Sequence, residues 1–107
     1  MDSFVDNIEN LTEDNDKYRD ILYTGTNMQL TVMYLKPGED IPKEIHNGEQ
    51  FIRIEEGRGE IHIGAYIYDI GPGDGIIIPR FTNHRLVNIG NKPLKLYSIY
   101  SPPQHMV

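Results

Sequence analysis

Four side chains in two separate segments of this sequence have the chemistry of metal ligands. Glu44 and His46 lie two residues apart, so in an extended chain their side chains point to the same side. Gln50 follows four residues after His46, and His84 comes from a distant part of the chain. Imidazole nitrogens and carboxylate oxygens are good ligands for divalent first-row metals. We therefore expect one site for a divalent metal ion (Fe, Mn, Ni or Zn) with four ligands: Glu44, His46, Gln50 and His84.

The composition of this ligand set narrows the chemistry. Two histidines and one carboxylate suit non-haem Fe(II), because they leave coordination positions open for substrate or oxygen. Gln50 would add a weak neutral ligand or a hydrogen bond to the other ligands. It shares a strand face with Ile52 and Ile54, and burying an amide there without a partner costs roughly 1–3 kcal/mol. Glu44 is the candidate catalytic residue, although its polar surroundings also allow a solvated side chain.

The elements that must position these ligands are short strands. Apolar and polar residues alternate from residue 18 onward, with glycine and proline at the turns. The pattern predicts about eight strands, at residues 18–24, 28–35, 49–55, 60–63, 66–70, 76–78, 84–89 and 94–100. Residues 76–78 are consecutive isoleucines, which predicts a strand buried on both faces. Together these features indicate an all-β antiparallel sandwich or barrel.

The length of the chain, 107 residues, is that of one domain. Residues 1–17 are acidic and polar, with apolar residues at roughly helical spacing, and we expect a short helix or an N-terminal arm there. Residues 18–101 should form the barrel. Residues 102–107 begin with Pro102 and Pro103, which cannot continue a sheet, so we expect a C-terminal tail.

The bulk composition argues against several kinds of partner. The net charge is −6 and the basic residues are scattered singly, so a nucleic-acid partner is not expected. The absence of cysteine excludes disulfides, thiolate ligands and a cysteine nucleophile. The first residues show no secretion signal, and no apolar run approaches the roughly 20 residues of a membrane span. We expect a cytoplasmic protein with a small-molecule ligand or substrate and no membrane partner.

Five further side chains are secondary candidates. His62 lies between two isoleucines of a predicted strand and should face outward. His105 follows the prolines of the tail and should be solvated or docked on a neighbouring molecule. Tyr34 or Tyr97 is a candidate for the lining of the pocket. Arg53 is expected to pair with an adjacent glutamate rather than with an anionic substrate.

The two ligand segments resemble the two sequence motifs of the cupin superfamily. The first motif is glycine, five residues, His-x-His, three or four residues, glutamate, six residues and glycine. Its positions here hold Gly38, Glu44, His46, Gln50 and Gly57. The second motif is glycine, five residues, Pro-x-Gly, two residues, histidine, three residues and asparagine. Its positions here hold Gly73, Pro79, Phe81, His84 and Asn88.

Three positions depart from the motifs. Glu44 stands in place of a histidine and Gln50 in place of the glutamate, so the site keeps one carboxylate but has one histidine fewer. This exchange leaves the identity and occupancy of the metal open. Phe81 replaces a turn glycine, and a bulky residue adopts positive φ only at an energetic cost. We therefore expect the loop before His84 to turn differently, through Asn83.

The resemblance implies an antiparallel double-stranded β-helix, the jelly-roll or cupin barrel, with a metal ion at its centre and frequently a homodimer. The sequence is similar to the stand-alone cupins called mannose-6-phosphate-isomerase-like. This implies a metal-dependent enzyme that acts on a small oxygenated metabolite, such as a sugar or sugar phosphate, by isomerase or epimerase chemistry. Exposed strand edges give a small barrel a separate reason to pair with a second copy.

Three alternatives stay open at this point. A site of two histidines and one carboxylate is also typical of an Fe(II) dioxygenase. The barrel could instead hold a small ligand without catalysis, as a binding or sensing module. In the third alternative the barrel binds no metal, and Glu44 and Gln50 only form hydrogen bonds inside it.

Overall fold

A computed structural model describes residues 2–105, and this part of the chain forms one short helix and nine strands. The helix α1 spans Ile8–Asp14. The strands are β1 (Arg19–Thr24), β2 (Gln29–Leu35), β3 (Asp40–Glu44), β4 (Glu49–Glu56), β5 (Gly59–Ile63), β6 (Tyr66–Ile70), β7 (Gly75–Ile78), β8 (His84–Val87) and β9 (Leu94–Ser101).

The strands form two antiparallel sheets that enclose the core. Their order is β1-β2-β9-β4-β7 in the five-stranded sheet and β3-β8-β5-β6 in the four-stranded sheet. Several neighbours in each sheet, such as β2 with β9 and β3 with β8, are distant in the chain. This is the winding of a jelly roll, so the predicted all-β double-stranded β-helix is confirmed.

The inside of the barrel changes from apolar to polar along its length. The apolar core cluster consists of Met33, Leu35, Ile41, Ile52, Ile54, Ile61, Ile70, Ile76, Ile78, Leu86, Leu94 and Leu96. Burying each such side chain contributes roughly 1.5–3 kcal/mol, so this cluster holds the two sheets together. Towards the other end the buried inward side chains are polar: Gln29, Thr31, Gln50, His84 and Ser98.

The strand register explains why the polar residues gather at one end. In the five-stranded sheet Tyr100 of β9 is paired with Gln29 on one side and Gln50 on the other. In the four-stranded sheet Glu44 is paired with His84. Paired residues of antiparallel strands point to the same face of the sheet. Each sheet therefore contributes a row of polar side chains to the interior at this end.

The helix α1 covers part of the outer face of the five-stranded sheet. The side-chain oxygen of Asn7 caps the helix by accepting a hydrogen bond from the backbone N–H of Asn10, at 2.9 Å. Thr12 is fully buried, Lys95 of β9 donates to the carbonyl of Glu13, and the helix contacts β2, β4 and β9. Residues 8–14 are thus a docked helix. Within residues 2–105, no helix is both long and apolar enough to cross a bilayer.

The predicted strands do not include β3. This segment is polar, contains Pro42, and has Ile41 as its one buried side chain. It is an edge strand of the four-stranded sheet, where proline is tolerated because one side of the strand is unpaired. An irregularity between Ile41 and Glu44 interrupts its pairing with β8. A short edge strand of this composition lacks the alternation that reveals the other strands.

The prediction that residues 76–78 are buried on both faces is wrong for the central residue. Ile76 and Ile78 are 8% and 2% exposed, but Ile77 is 68% exposed. The strand β7 lies at the edge of the five-stranded sheet, and α1 packs over β2, β4 and β9 instead. The outer face of β7 is therefore an exposed apolar surface.

Candidate metal centre

Three of the four predicted ligands converge at the polar end of the barrel. One ligand atom each from Glu44, His46 and His84 lies within 4.8 Å of the other two. Glu44 and His84 face each other across the β3–β8 ladder, and His46 lies in the loop that follows β3. The Glu-x-His spacing and the distant histidine are therefore brought together as the sequence predicts.

The backbone orients the His84 ring for ligation. The Nδ1 atom of His84 lies 2.9 Å from the carbonyl oxygen of Thr82, which can only accept a hydrogen bond. Nδ1 therefore carries the proton, and the lone pair on Nε2 is free for a metal ion. The residue is 6% exposed, so few alternative partners can reach this nitrogen.

His46 has a buried nitrogen beside the carboxylate. Its Nε2 atom lies 2.7 Å from Oε2 of Glu44 and has no well-formed hydrogen bond to any of the described residues. The rings of His46 and His84 are 5.1 Å apart between centroids. Burial lowers the pKa of His46, and the nearby His84 lowers it further, while the Glu44 carboxylate opposes both. The resulting neutral imidazole is the form that ligates a metal.

The expectation that Phe81 avoids positive φ is wrong. Phe81 has a φ of 59°, and its N–H donates to the carbonyl of His46 at 2.7 Å. Its ring is 63% exposed, so the left-handed conformation creates no clash with the core. Asn83, where we expected the turn, instead accepts a hydrogen bond from Gly64 on the neighbouring hairpin, at 2.8 Å. The hydrogen bond to His46 gives the physical reason for the strained residue, because it joins the two ligand-bearing loops.

Gln50 lies on the inner face of β4, at the polar end of the barrel. It is 4% exposed, and its Nε2 donates to the hydroxyl of Ser98 at 3.4 Å. Its Oε1 is buried and has no hydrogen-bond partner among the described residues. Its register partner Tyr100 packs its ring 5.6 Å from that of His46. A free acceptor oxygen is thus held near the triad, and its role as a fourth ligand stays a prediction.

These observations fit a divalent cation. The site offers a carboxylate, two imidazoles and an amide oxygen, which is a donor set suited to Fe, Mn, Ni or Zn. One cation would satisfy both the unpartnered Nε2 of His46 and the unpartnered Oε1 of Gln50. Leaving such groups unsatisfied in a buried site costs roughly 1–3 kcal/mol each.

The tyrosine at the site is Tyr100, and the two candidates Tyr34 and Tyr97 lie elsewhere. Tyr34 lies next to Lys95, and Tyr97 packs against Phe51 with ring centroids 6.3 Å apart. Both point away from the interior, because their strand neighbours are the buried core residues. Tyr100 is 1% exposed and follows the inward alternation of β9. That alternation is the sequence pattern that could have identified it.

The expectation of a solvated His105 is also wrong. Its ring packs edge-on against Tyr100, with centroids 4.8 Å apart, and burial lowers its pKa. The side chain of Gln29 holds its backbone: Oε1 accepts from the His105 N–H at 3.0 Å, and Nε2 donates to the His105 carbonyl at 2.9 Å. The sequence offers no short-range pattern for this contact, because the two residues are separated by most of the chain.

The remaining candidates lie away from the site. His62 faces outward as predicted and pairs with Glu60, with Nε2 2.9 Å from Oε1. Arg53 pairs with Glu55 on the outer face of β4, with Nε 3.1 Å from Oε1. Neither side chain takes part in the polar end of the interior.

Comparison with known proteins identifies the family of the chain. Residues 31–100 match the Cupin_2 family, a cupin domain. YrkC of Bacillus subtilis (strain 168), an uncharacterized protein, is 45% identical over 109 residues; the match covers 95% of this chain and 59% of YrkC. The chain thus spans less than two thirds of that relative.

Solved structures with the same fold include one close in sequence and one distant in sequence. The crystal structure of BH2720 from Bacillus halodurans has a TM-score of 0.94 and 45% identity, covering 96% of this chain and 83% of that chain. An RmlC-like cupin from Shewanella frigidimarina has a TM-score of 0.75 over 81% of this chain and 77% of its own; at 18% identity this shows a shared fold alone. The family match spans both ligand segments and most of the barrel, and the chain therefore belongs to the cupin family.

Proposed function

We propose that this protein binds one divalent transition-metal ion through Glu44, His46, Gln50 and His84 and acts with it on a small oxygenated metabolite. The observation that carries the proposal is the convergence of three ligand atoms within 4.8 Å at the polar end of the barrel. The unpartnered nitrogen of His46 and the unpartnered oxygen of Gln50 support it. A sugar or a sugar phosphate is the substrate class that we favour.

Isomerase or epimerase chemistry suits this site best. The metal ion, when bound, would supply a Lewis acid that polarises a substrate carbonyl. The protein must then hold and move a proton beside that carbonyl. Glu44 can accept one, since its side chain is 26% exposed and thus reachable from the barrel mouth. Tyr100 can donate a hydrogen bond to the substrate oxygen, because burial raises the pKa of its hydroxyl and keeps it protonated.

An Fe(II) dioxygenase is a second candidate for one specific reason. The converging triad is two histidines and one carboxylate, the set that leaves open positions on non-haem iron. A binding or sensing role without catalysis uses the same pocket and needs only the metal or the polar groups.

Homodimerisation and a cytoplasmic location stay predictions.

Metal analysis followed by assay separates these functions. Protein purified without chelators should carry about one metal ion per chain, and His84→Ala should lower the metal affinity at least about tenfold. The control His62→Ala removes an outward-facing histidine and should leave metal content unchanged. Bound iron together with substrate-dependent oxygen consumption would identify a dioxygenase. Turnover of a sugar or sugar phosphate without oxygen consumption would identify an isomerase.

The proposal fails if the protein, offered Fe, Mn, Ni and Zn in turn, binds none of them. It also fails in its catalytic part if Glu44→Ala with His84→Ala abolishes metal binding but leaves ligand affinity and biological effect intact. In that case the protein is a binding module.

A further inference from the structure

Three polar side chains beside the metal centre are not needed to hold an ion. Arg19 comes from β1, Tyr100 from β9 and His105 from the segment after β9. They belong to elements other than those that carry the ligands Glu44, His46 and His84. Two of the three carry a buried nitrogen without a hydrogen-bond partner among the described residues, which indicates a function for them.

Arg19 points into the barrel. It is the register partner of Met33, which is fully buried, and paired residues of antiparallel strands share a face. Its Nε is buried without a hydrogen-bond partner, and the guanidinium forms no ion pair within residues 2–105. Tyr18 covers it from the side, with the guanidinium carbon 5.7 Å from the ring centroid. A buried donor nitrogen without an acceptor is costly, and an oxygen of an anionic ligand would supply that acceptor.

Tyr100 lies within reach of both the Arg19 side chain and the ring of His46. Burial raises the pKa of its hydroxyl, while the Arg19 guanidinium and side-chain hydrogen bonds to Arg19 and Ser98 lower it. The Tyr100 ring contacts His46 on one side, at 5.6 Å between centroids, and His105 on the other, at 4.8 Å. A ligand group between Arg19 and the triad would therefore meet this hydroxyl.

His105 is held in place by a dedicated hydrogen-bond clamp. Gln29 is fully buried, and its Oε1 accepts from the N–H groups of both Gln104 and His105, at 3.2 and 3.0 Å. Gln104 also donates to the side-chain oxygen of Asn47, in the ligand loop, at 3.1 Å. Residues 102–105 thus lie as a strap at the polar end, and they present the unpartnered Nε2 of His105 beside Tyr100.

We propose that Arg19, Tyr100 and His105 bind an oxyanion group, a carboxylate or a phosphate, of the molecule that the metal centre handles. A divalent ion, one carboxylate and one guanidinium leave the site with a net positive charge, which favours an anionic ligand. The planar guanidinium offers paired donors to two oxygens of one carboxylate or phosphate. The proposal rests on the proposed function, since it assigns a substrate class to the same site.

The test measures binding of small probes by titration calorimetry. Inorganic phosphate and lactate represent the two oxyanions, and ethylene glycol is the neutral control. Wild type, Arg19→Gln, His105→Gln and Arg85→Gln are each titrated in zinc-loaded and metal-free forms. Arg85 is the matched control, because it is an exposed arginine that pairs with Asp40 at 2.9 Å on the outer surface.

We expect Arg19→Gln to weaken the tighter of the two oxyanions by about tenfold or more and His105→Gln by about threefold. The zinc affinity of Arg19→Gln should stay within about threefold of wild type, because Arg19 is not a ligand. Arg85→Gln should behave as wild type. The oxyanion that binds more tightly identifies the group that the site prefers.

The proposal is overturned if Arg19→Gln binds both oxyanions as tightly as wild type, or if ethylene glycol binds as well as they do. If Arg19→Gln does not unfold cooperatively, Arg19→Lys replaces it, because lysine keeps the charge but lacks the planar guanidinium. In that case, wild-type oxyanion affinity in both Arg19→Lys and His105→Gln overturns the proposal. Failure of the proposed function is a different result. If the proposed function is wrong but this proposal holds, wild type binds no metal, while Arg19→Gln still lowers the oxyanion affinity of the metal-free protein.

Discussion

Phe81 donates its backbone N–H to the carbonyl of His46 at 2.7 Å and so joins the loop after β3 to the loop before β8. The first loop contains His46 and the second leads to His84, the two histidines of the proposed metal centre. Phe81 reaches the position with a φ of 59°, a conformation that costs a residue with a side chain roughly 1–2 kcal/mol. The strained residue therefore stabilises the relative position of the two loops at the expense of local backbone energy.

Replacing Phe81 with glycine should raise the free energy of unfolding by about 1 kcal/mol, because glycine adopts positive φ without strain. The ring is 63% exposed, so its loss removes little packing. Urea unfolding measures the change. Thr82→Gly is the neighbouring control at ordinary φ and should instead destabilise by roughly 0.4–1 kcal/mol. A Phe81→Gly protein less stable than wild type would contradict the assignment of strain.

The role of Gln50 predicts opposite effects for two substitutions. Gln50→Glu should raise metal affinity, because it places a carboxylate where Oε1 is now buried and unpartnered. Gln50→Ala should lower metal affinity by about tenfold, which is the usual effect of losing a supporting group. Competition with a chromophoric chelator measures both. If Gln50→Ala binds metal as tightly as wild type, Gln50 is neither a ligand nor a support for one.

The raised pKa of the Glu55 carboxyl group predicts that the stability of the protein depends on pH. Burial under α1 raises the pKa of Glu55; Arg53 opposes the shift, and the carboxylates of Glu9 and Glu13 add to it. The folded state therefore binds this proton more tightly than the unfolded state does. The free energy of unfolding falls as pH rises from the ordinary glutamate pKa to the raised value, and the loss is complete above it.

Glu55→Gln should consequently be more stable than wild type at neutral pH, and the difference should shrink as the solution is acidified towards pH about 4. Thermal unfolding across this range measures the effect. Glu49→Gln, at an exposed position of the same strand, should change stability by no more than about 0.5 kcal/mol. A Glu55→Gln protein that is less stable than wild type at neutral pH would show that the pair with Arg53 outweighs burial.

An apolar row with one exposed and three partly buried side chains supports the predicted homodimer; Ile77 is its exposed member. Leu30, Ile99, Phe51 and Ile77 are successive register partners across β2, β9, β4 and β7 on the outer face of the five-stranded sheet. Wild type should be dimeric at micromolar concentration, and Ile77→Asp should make it monomeric, because a buried carboxylate would lie in the interface. Sedimentation velocity measures the mass.

The control for this substitution is Ile67→Asp. Ile67 is a 60% exposed isoleucine of β6, in the four-stranded sheet, and its replacement should leave the dimer intact. A monomeric wild type would refute the homodimer. A dimer that survives Ile77→Asp would place the interface on another surface.

The sequence predicted the triad from local alternation and from the resemblance of two separate segments to the cupin motifs. Glu44 and His46 share a side through simple alternation, and His84 begins a strand whose apolar residues face the core. Short alternating segments with glycine and proline turns predicted an antiparallel sandwich or barrel, and the resemblance to the cupin motifs implied the jelly roll. The polar edge strand β3 escaped prediction, because packing against β8, rather than its own composition, makes it a strand.

The parts of the site that the sequence did not reveal depend on contacts between residues that are far apart in the chain. Gln29 holds His105 across most of the sequence, and Arg19 is inward only because β1 pairs with β2 in a particular register. Phe81 was mispredicted because local strain was weighed without the hydrogen bond to His46 that offsets it. Such contacts appear only once the sheets are assembled.

Anomalous scattering from crystals grown with zinc tests the metal centre most directly. We predict one peak, present above the zinc absorption edge and absent below it, at about 2.0–2.1 Å from Nε2 of His46 and of His84 and about 2.0–2.2 Å from an oxygen of Glu44. A map from fully zinc-saturated crystals with no peak between these three side chains would contradict the proposed metal centre.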